Sequence, residues 1–319
     1  MRAAIVERIG SPPRPGEVPE PTPRTGEALV EVLAAPVRPL DYRIAAGSVE
    51  GGPPDTPYVV GAEGIGRVLS GDELPSGTLV WFQLAGGTGA LAERVAAPEP
   101  RLVRLPPGAD VIFAAAFGGA GTVAGLALEW RAGLRFGESV LLVGLPGILG
   151  QVTLQAAKIL GAGRVVVASH HEDDLLLASQ LGADATLAEL GELEGTSFDV
   201  VIDGAWGVSA NAGLSLLRPG GRFVNVGAES PRADLSSIVL RARNLTVFGL
   251  SNVATPTDLR ATSFTKLLSA ATDGRLRLEY DVCLLTEVEE EWARGPWGRP
   301  LVISLANGER PIGGQPAAP

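Results

Sequence analysis

The sequence predicts an α/β protein in which a doubly wound parallel sheet accompanies a separate β-rich domain. After about residue 112, strand-like and helix-like segments alternate, which is typical of parallel strands connected by helices on both faces of a sheet. Before that point, short β-like segments are interrupted by Gly and Pro, which predicts a compact β-barrel or sandwich. The change of pattern predicts a domain boundary between residues 112 and 113.

The first domain, residues 1–112, is predicted to consist of short strands and surface loops. Segments 11–23 and 47–56 combine Gly and Pro with little apolar content and are interpreted as loops. The clearest strands are Ala3–Val6, Ala28–Val32, Gly64–Leu69, Thr78–Phe82 and Ala92–Ala96.

The alternating domain is predicted to cover residues 113–274. The β-like segments that follow it, Tyr280–Leu284 and Pro300–Leu305, are too few to form a domain, so residues 275–305 are expected to complete the first domain. The last residues, 306–319, are rich in Gly and Pro and are expected to form a disordered tail.

A strand, a glycine turn and a helix follow one another between Ser139 and Lys158. The free N–H groups and the dipole of a helix N-terminus favour a phosphate there, and glycines allow a close approach of the backbone. The spacing is G-x-x-G-x-x-G, so the context carries the prediction; a tight turn without a ligand is the alternative. The candidate cofactor-binding residues are Gly144, Pro146, Gly147, Ile148, Leu149 and Gly150.

Composition excludes several classes of function. The net charge of −10 argues against a nucleic-acid surface, and no apolar run is judged long enough to span a membrane. No signal-peptide core is recognised near the N-terminus, so a cytoplasmic location is expected. Cys283 is the one cysteine, and His170 and His171 are the two histidines, so a metal site is not expected.

The sequence resembles the medium-chain dehydrogenase/reductase superfamily, in its zinc-free quinone oxidoreductase-like branch. Matching pieces occur in the family's order and include PYVVGAEGIGRV, RLVRLPPG, GLPGILG, QLGADATL and LRPGGRFVNVG. The resemblance extends from Met1 to Leu305. It implies a GroES-like barrel combined with a Rossmann domain, a nicotinamide cofactor held in the cleft between them, and a small-molecule substrate.

Departures from the family pattern concern the metal and the substrate. The zinc-dependent relatives have a histidine in their G-H-E motif, where this chain has Ala62, and their cysteine ligand falls within the stretch Ala35–Arg38. Zinc-free relatives usually show N-P-x-D, which reads Arg38-Pro39-Leu40-Asp41 here, and their common tyrosine corresponds to Val49. The resemblance therefore implies a zinc-independent enzyme with an altered substrate site.

Three residues near this motif are candidate catalytic groups. Arg38 could act as a cationic donor toward an oxyanion. Tyr42 could replace the lost tyrosine as a proton donor, with packing as the alternative. Asp41 could be either a catalytic group or a structural hydrogen-bond anchor.

The type of nicotinamide cofactor depends on the end of the second Rossmann strand. An acid there selects NAD, and the alignment places Ser169 at that position, which favours NADPH, with NADH as the alternative. His170 or His171 could contact a 2′-phosphate, although the lysine often found in the family falls on Asp174. The following strand ends are expected to approach the cofactor through Asp203, Gly204, Gly227 and Ala228.

The leading hypothesis is a zinc-independent, NADPH-dependent reductase of quinones or α,β-unsaturated carbonyl compounds that works by hydride transfer. The alternatives are a catalytically lapsed nucleotide-binding or scaffold protein and a specialised enoyl reductase of a biosynthetic pathway. No nucleic-acid or membrane partner is expected. The apolar strand Asn244–Leu250 is predicted to pair with a second copy and form a homodimer.

Overall fold

The computed structural model describes residues 1–49, 51–84, 86, 89–145, 147–193, 195–227, 230–296 and 299–305. The chain forms two compact units, which divide after Gly118 and after Arg277. The first unit combines Met1–Gly118 with the segment that begins at Leu278, and the second unit is Gly119–Arg277. The expected tail, residues 306–319, lies outside the described residues.

The described residues of the first unit form two sheets, two short α-helices and the first part of a longer helix, Val111–Gly125. One sheet has the strand order β2-β1-β4; the other has the order β15-β16-β3-β5-β6-β8, with β7 also paired to β3. The short α-helices are α1 (Pro39–Ala45) and α8 (Val288–Trp292). The strands are β1 (Arg2–Val6), β2 (Arg14–Glu17), β3 (Glu27–Val37), β4 (Tyr58–Val59), β5 (Glu63–Ser70), β6 (Leu79–Gln83), β7 (Arg94–Pro98), β8 (Val103–Arg104), β15 (Asp281–Leu284) and β16 (Leu301–Ser304).

Strand β3 organises the larger sheet. Its first residues alternate between half-buried and buried positions, as expected of a strand with one face on a core, and its last residues are buried throughout. Strand β7 pairs with residues 27–31 of β3, and β16 pairs with residues 34–37. Because β16 also pairs with β15, both late strands belong to the sheet of the N-terminal segment.

The second unit contains a six-stranded parallel sheet with the strand order β11-β10-β9-β12-β13-β14. Numbered from β9, this is the doubly wound order 3-2-1-4-5-6, so the predicted fold class is confirmed. The strands are β9 (Ser139–Val143), β10 (Arg164–Ala168), β11 (Ala185–Leu187), β12 (Phe198–Asp203), β13 (Leu217–Asn225) and β14 (Thr246–Gly249). The helices are α3 (Gly147–Ile159), α4 (Glu172–Gln180), α5 (Val208–Ser215), α6 (Ser237–Ala242) and α7 (Thr257–Thr272).

Strand β13 begins before a turn-like sequence. The segment Pro219-Gly220-Gly221 is typical of a turn, but β13 begins at Leu217 and continues through these residues. Leu217 is fully buried and pairs with Phe198, after which the register shifts and Arg222 pairs with Val200. The turn residues are therefore accommodated as an irregularity inside the strand rather than as its boundary.

The apolar helix that connects the two units also differs from expectation. Helix α2 (Val111–Gly125) departs from helical geometry at Gly118 and continues as a π-helix over Leu126–Arg131. By length and composition, the segment Val111–Arg131 could span a membrane, contrary to the expectation that no run is long enough. However, 78% of its most apolar window is buried inside the protein, as is typical of a core helix.

Candidate functional site

The glycine turn connects β9 to α3 with only three residues between them. Gly144 and Gly147 have φ values of +58° and +62°, in the left-handed region that favours glycine. A Cβ atom on Gly150 would collide with the carbonyl oxygen of Leu145, so this glycine lets the first turn of α3 lie directly on the turn. Pro146, a predicted member of the site, lies outside the described residues.

The glycines at the carboxyl ends of the strands allow neighbouring loops to pack backbone against backbone. A Cβ atom on Gly144 would lie 2.7 Å from the Cβ atom of Ala205, and one on Gly227 would lie 2.7 Å from the carbonyl oxygen of Gly204. A Cβ atom on Gly204 would in turn collide with the carbonyl oxygen of Gly144. The loops that follow β9, β12 and β13 therefore form one continuous edge. Ala228 lies outside the described residues.

Asp203 organises the loop that follows β12. Its buried carboxylate accepts hydrogen bonds from the backbone N–H of Trp206 at 2.6 Å and from Oγ of Ser209 at 3.0 Å. Burial raises the pKa of Asp203 in spite of these hydrogen bonds, which lower it. Because both bonds are made inside its own loop, the carboxylate holds the shape of the strand end.

The end of β10 brings Ser169 and an acid together. Ser169 is buried and accepts a hydrogen bond from the backbone N–H of His171 at 3.2 Å. Its Oγ also donates to the Asp174 carboxylate, in the first turn of α4, at 3.3 Å. The exposed His170 lies 3.9 Å from Glu189, a pair that is charged only when the histidine is protonated. Two of these side chains, Asp174 and Glu189, were not predicted to belong to the site.

These residues fit a nicotinamide dinucleotide. The first N–H groups of α3 have no acceptor within the helix, and its first turn contains no acidic residue. Ile148 is buried and Leu149 is half-buried, so these two residues can offer backbone N–H groups while their side chains pack. The pyrophosphate would bind at the start of α3 and the adenosine ribose near Ser169.

The first unit contains a second polar cluster, built around Glu63. This carboxylate is buried and accepts hydrogen bonds from Arg38 Nη1 at 3.0 Å, Trp81 Nε1 at 3.1 Å and Gln83 Nε2 at 3.1 Å. Trp81 and Gln83 are two residues apart on β6, so their side chains lie on the same face of the sheet. Gln83 lies directly opposite Glu63 on β5. A Cβ atom on Gly118 would lie 3.3 Å from Glu63 Oε1, so the backbone closes over the carboxylate.

Arg38 supplies the positive charge of this cluster. It precedes α1, and its Nε lies 4.0 Å from Oδ2 of Asp41. Burial lowers the pKa of Arg38, but the negative charges of Glu63 and Asp41 outweigh this effect and bring it above its ordinary value. The side chain remains 24% exposed, and its guanidinium forms ion pairs with two buried carboxylates.

Asp41 is buried, and only one of its two carboxylate oxygens has a hydrogen-bond donor among the described residues. Its Oδ2 accepts the backbone N–H of Arg38 at 2.7 Å, while Oδ1 has no hydrogen-bond partner among the described residues. Burial raises the pKa of Asp41 to about 6, although the charge of Arg38 lowers it. The carboxyl group therefore exchanges a proton within the range of neutral to mildly acidic solution.

We expect Asp41 to make stability depend on pH. Its pKa in the folded chain lies above that of an ordinary aspartate, so its contribution is fully present below about pH 4 and is lost as the pH rises through about 6. Asp41→Asn should become more stable relative to the parent over this interval, by roughly 2 to 3 kcal/mol. Urea unfolding at several pH values measures the difference.

Asp110→Asn is the matched control for this comparison. Asp110 is exposed, and its Oδ1 likewise accepts a backbone N–H at a helix start, from Phe113 at 2.7 Å. The same gain in Asp110→Asn, or a difference between parent and Asp41→Asn that does not change with pH, would contradict the assignment.

Tyr42, the third predicted catalytic residue, lies on α1 and packs against another aromatic ring. Its ring centroid is 4.1 Å from that of Trp292, with an interplanar angle of 30°. Burial, followed by the charge of Asp41, raises the pKa of Tyr42 to about 12. The structure thus brings Arg38 and Asp41 together with Glu63, and it gives Tyr42 a packing role.

Glu63, Trp81 and Gln83 were not among the site residues predicted from the sequence. Glu63 is the last residue of the Gly61-Ala62-Glu63 motif, in which only Ala62 was interpreted. A signal was available, because Glu63 directly follows the apolar and small residues 59–62, and a charged residue that is buried there must find donors. Which donors it finds depends on the pairing of β5 with β6, which the local sequence does not reveal.

No group of three or more His, Cys, Asp or Glu side chains within the described ranges could hold a metal ion. At the positions that the resemblance gives to zinc ligands, the chain has the methyl group of Ala62 and the stretch ending in Arg38. Neither a methyl group nor a guanidinium coordinates a metal.

Two family models match the chain. The alcohol dehydrogenase GroES-like domain matches residues 24–107, and the zinc-binding dehydrogenase domain matches residues 149–269. The first match lies in the unit that contains Arg38 and Glu63, and the second covers α3 and β10 to β14.

The proteins to which this chain is similar include reductases. A trans-enoyl reductase of Aspergillus terreus is 32% identical over 228 residues, 63% of this chain, and the match spans 62% of that relative's length. A quinone oxidoreductase of Lama guanicoe is 29% identical over 72% of this chain and 74% of the relative. The quinone oxidoreductase of Thermus thermophilus, solved also in complex with NADPH, is 30% identical with a TM-score of 0.78, covering 96% of this chain and 100% of that one.

Proposed function

Because the chain belongs to the medium-chain dehydrogenase/reductase superfamily, we propose that it is a nicotinamide-dependent reductase of quinones or α,β-unsaturated carbonyl compounds that works without zinc. The observation that carries the proposal is the strand–glycine turn–helix unit, whose backbone fits a dinucleotide pyrophosphate. A quinone oxidoreductase and a trans-enoyl reductase among its relatives support the substrate class.

The bound nicotinamide supplies the hydride, and this chain's residues bind and orient it. The N–H groups at the start of α3 hold the pyrophosphate, and the edge formed by Gly144, Gly204 and Gly227 admits close approach of the cofactor. Ser169 fixes the ribose end. Asp203 keeps the loop after β12 in place through its bonds to Trp206 and Ser209.

Arg38 is the residue that we assign to the substrate oxygen. Reduction of a conjugated carbonyl places negative charge on that oxygen, and a fixed cation stabilises it. Glu63 holds the guanidinium through Nη1, and the side chain of Arg38 remains 24% exposed. Since both zinc-ligand positions lack metal-binding side chains, the proposal assigns polarisation of the carbonyl to Arg38.

Reduction of an enoyl thioester is a second candidate. The trans-enoyl reductase relative favours it, and the hydride chemistry is the same, since the double bond is conjugated to a carbonyl. The two candidates differ in the size and polarity of the group attached to that carbonyl.

Titration of cofactor fluorescence, followed by oxidation assays, tests the proposed function. The protein should bind NADH or NADPH and oxidise the bound cofactor in the presence of a quinone, an enone or an enoyl thioester, with EDTA leaving the rate unchanged. Binding of neither cofactor would overturn the proposal. Binding without oxidation of any acceptor would indicate a catalytically lapsed member, and loss of activity with EDTA that zinc restores would exclude the metal-independent mechanism.

We also propose that β14 forms a homodimer interface. It is the last strand of the described sheet, with Val247 and Phe248 half-buried and Thr246 exposed, and Ile238 of the preceding helix is 70% exposed. An unpaired strand edge is a template for a second strand.

Sedimentation should give twice the 32.9 kDa chain mass, and Thr246→Lys should shift the protein toward monomer, unlike Thr246→Ser. A monomeric parent at micromolar concentration would contradict the interface.

A further inference from the structure

The end of β10 carries an inference about cofactor choice that rests on the proposed function. In a doubly wound sheet, the residue after the second strand faces the adenosine ribose, where an acid accepts hydrogen bonds from the ribose hydroxyls. The strand itself offers only Ser169 at this point. A serine hydroxyl can accommodate either a ribose hydroxyl or a phosphate. The preference between NADH and NADPH therefore depends on the groups around Ser169.

Asp174 brings a carboxylate to the position where the strand lacks one. Its Oδ2 lies 3.3 Å from Ser169 Oγ, and the same Oγ accepts the backbone N–H of His171 at 3.2 Å. The serine hydroxyl is thereby oriented with its proton toward Asp174. The first turn of α4 thus brings a carboxylate, Asp174, next to Ser169, although Asp174 lies five residues later in the sequence.

The surrounding charges point in the same direction. Glu172 and Asp173 precede Asp174 in the first turn of α4, and Glu189 lies 3.9 Å from His170 Nδ1. At pH 7 a phosphate monoester carries a charge of about −1.5 to −2. A 2′-phosphate bound beside Ser169 would meet the Asp174 carboxylate first, and one of the two histidines already has a carboxylate neighbour.

We propose that this chain selects NADH over NADPH and that Asp174 is the specificity-determining residue. The carboxylate accepts a hydrogen bond from a ribose hydroxyl and repels a 2′-phosphate. This reverses the preference expected from Ser169 alone.

The experiment compares dissociation constants of NADH and NADPH by fluorescence titration at low ionic strength. The parent should bind NADH at least about tenfold more tightly than NADPH, and Asp174→Ser should reduce the ratio to within about threefold, because the carboxylate beside Ser169 is removed. Asp174→Lys should invert the preference. Asp173→Ser is the matched control, since Asp173 is an exposed acid in the same helical turn that makes no hydrogen bond to Ser169 within the described structure, and it should change the ratio much less than Asp174→Ser does.

Thermal unfolding of both serine variants shows whether α4 is equally affected, because each loses one acid at the helix N-terminus. A parent that binds NADPH as tightly as NADH or more tightly overturns this inference and leaves the proposed function intact. The same holds if Asp173→Ser changes the ratio as much as Asp174→Ser. Failure of both cofactors to bind overturns the proposed function itself.

Discussion

Replacing Arg38 by methionine is expected to lower the free energy of unfolding by about 3 kcal/mol at pH 7, because breaking a buried pair leaves uncompensated charge. Glu63 and Asp41 are each 1% exposed, and Arg38 forms ion pairs with both. Methionine retains much of the apolar stem but removes the cation. Urea unfolding of parent and variant measures the loss.

Two further variants identify the cause of this loss. The double variant Arg38→Met with Glu63→Gln should recover much of the stability, since one buried charge is removed together with its partner. Arg67→Met is the control, because Arg67 pairs with Glu31 at 3.3 Å with both side chains more than 40% exposed. Such a surface pair contributes about 0 to 1 kcal/mol. Equal losses for Arg38→Met and Arg67→Met would show that the buried charge is not what stabilises the cluster.

Replacing Gly147 by aspartate should weaken binding of the nicotinamide cofactor at least about hundredfold, because it puts a carboxylate at the N–H groups that hold the pyrophosphate. Gly147 is the first residue of α3. Fluorescence titration measures the effect. Its φ of +62° adds backbone strain of about 1 to 2 kcal/mol, which the chain should tolerate without unfolding.

Gly274→Asp separates strain from the loss of the phosphate site. Gly274 has a φ of +71° and no atom within 4 Å of its Cβ position, so the substitution imposes similar strain away from the glycine turn. Both variants should lose similar stability, and only Gly147→Asp should lose cofactor affinity. Unchanged affinity in Gly147→Asp would show that the pyrophosphate binds elsewhere.

The doubly wound unit was predictable because its signals are local. Each parallel strand is a short apolar run, and each turn carries glycine, so hydrophobic periodicity and turn residues identify the elements in order. Val140–Val143 and the glycine turn illustrate this, since the structure places β9 at Ser139–Val143 and α3 directly after the turn. The start of β13 at Leu217 has no such local signal, because the place of Leu217 in the strand depends on pairing with Phe198.

The type of the GroES-like domain was predicted from its strand pattern and from the resemblance, but the pairing of its individual strands was not. Strand β3 pairs with β5, β7 and β16, and β16 lies more than 260 residues further along the chain. Pairing at such separations depends on which apolar faces cover one another. No local pattern records that choice.

The sequence by itself determined the residue types available for chemistry: a glycine turn between a strand and a helix, no histidine or cysteine at the positions that the resemblance gives to zinc ligands, and Arg38 before helix α1. Only the tertiary structure decided which charged and polar side chains contact one another. It brought Arg38 to Glu63 across 25 positions and Asp174 to Ser169, because strand register and helix orientation set these distances. A carboxylate acts through space, and its neighbours in space are fixed only when the sheets have formed.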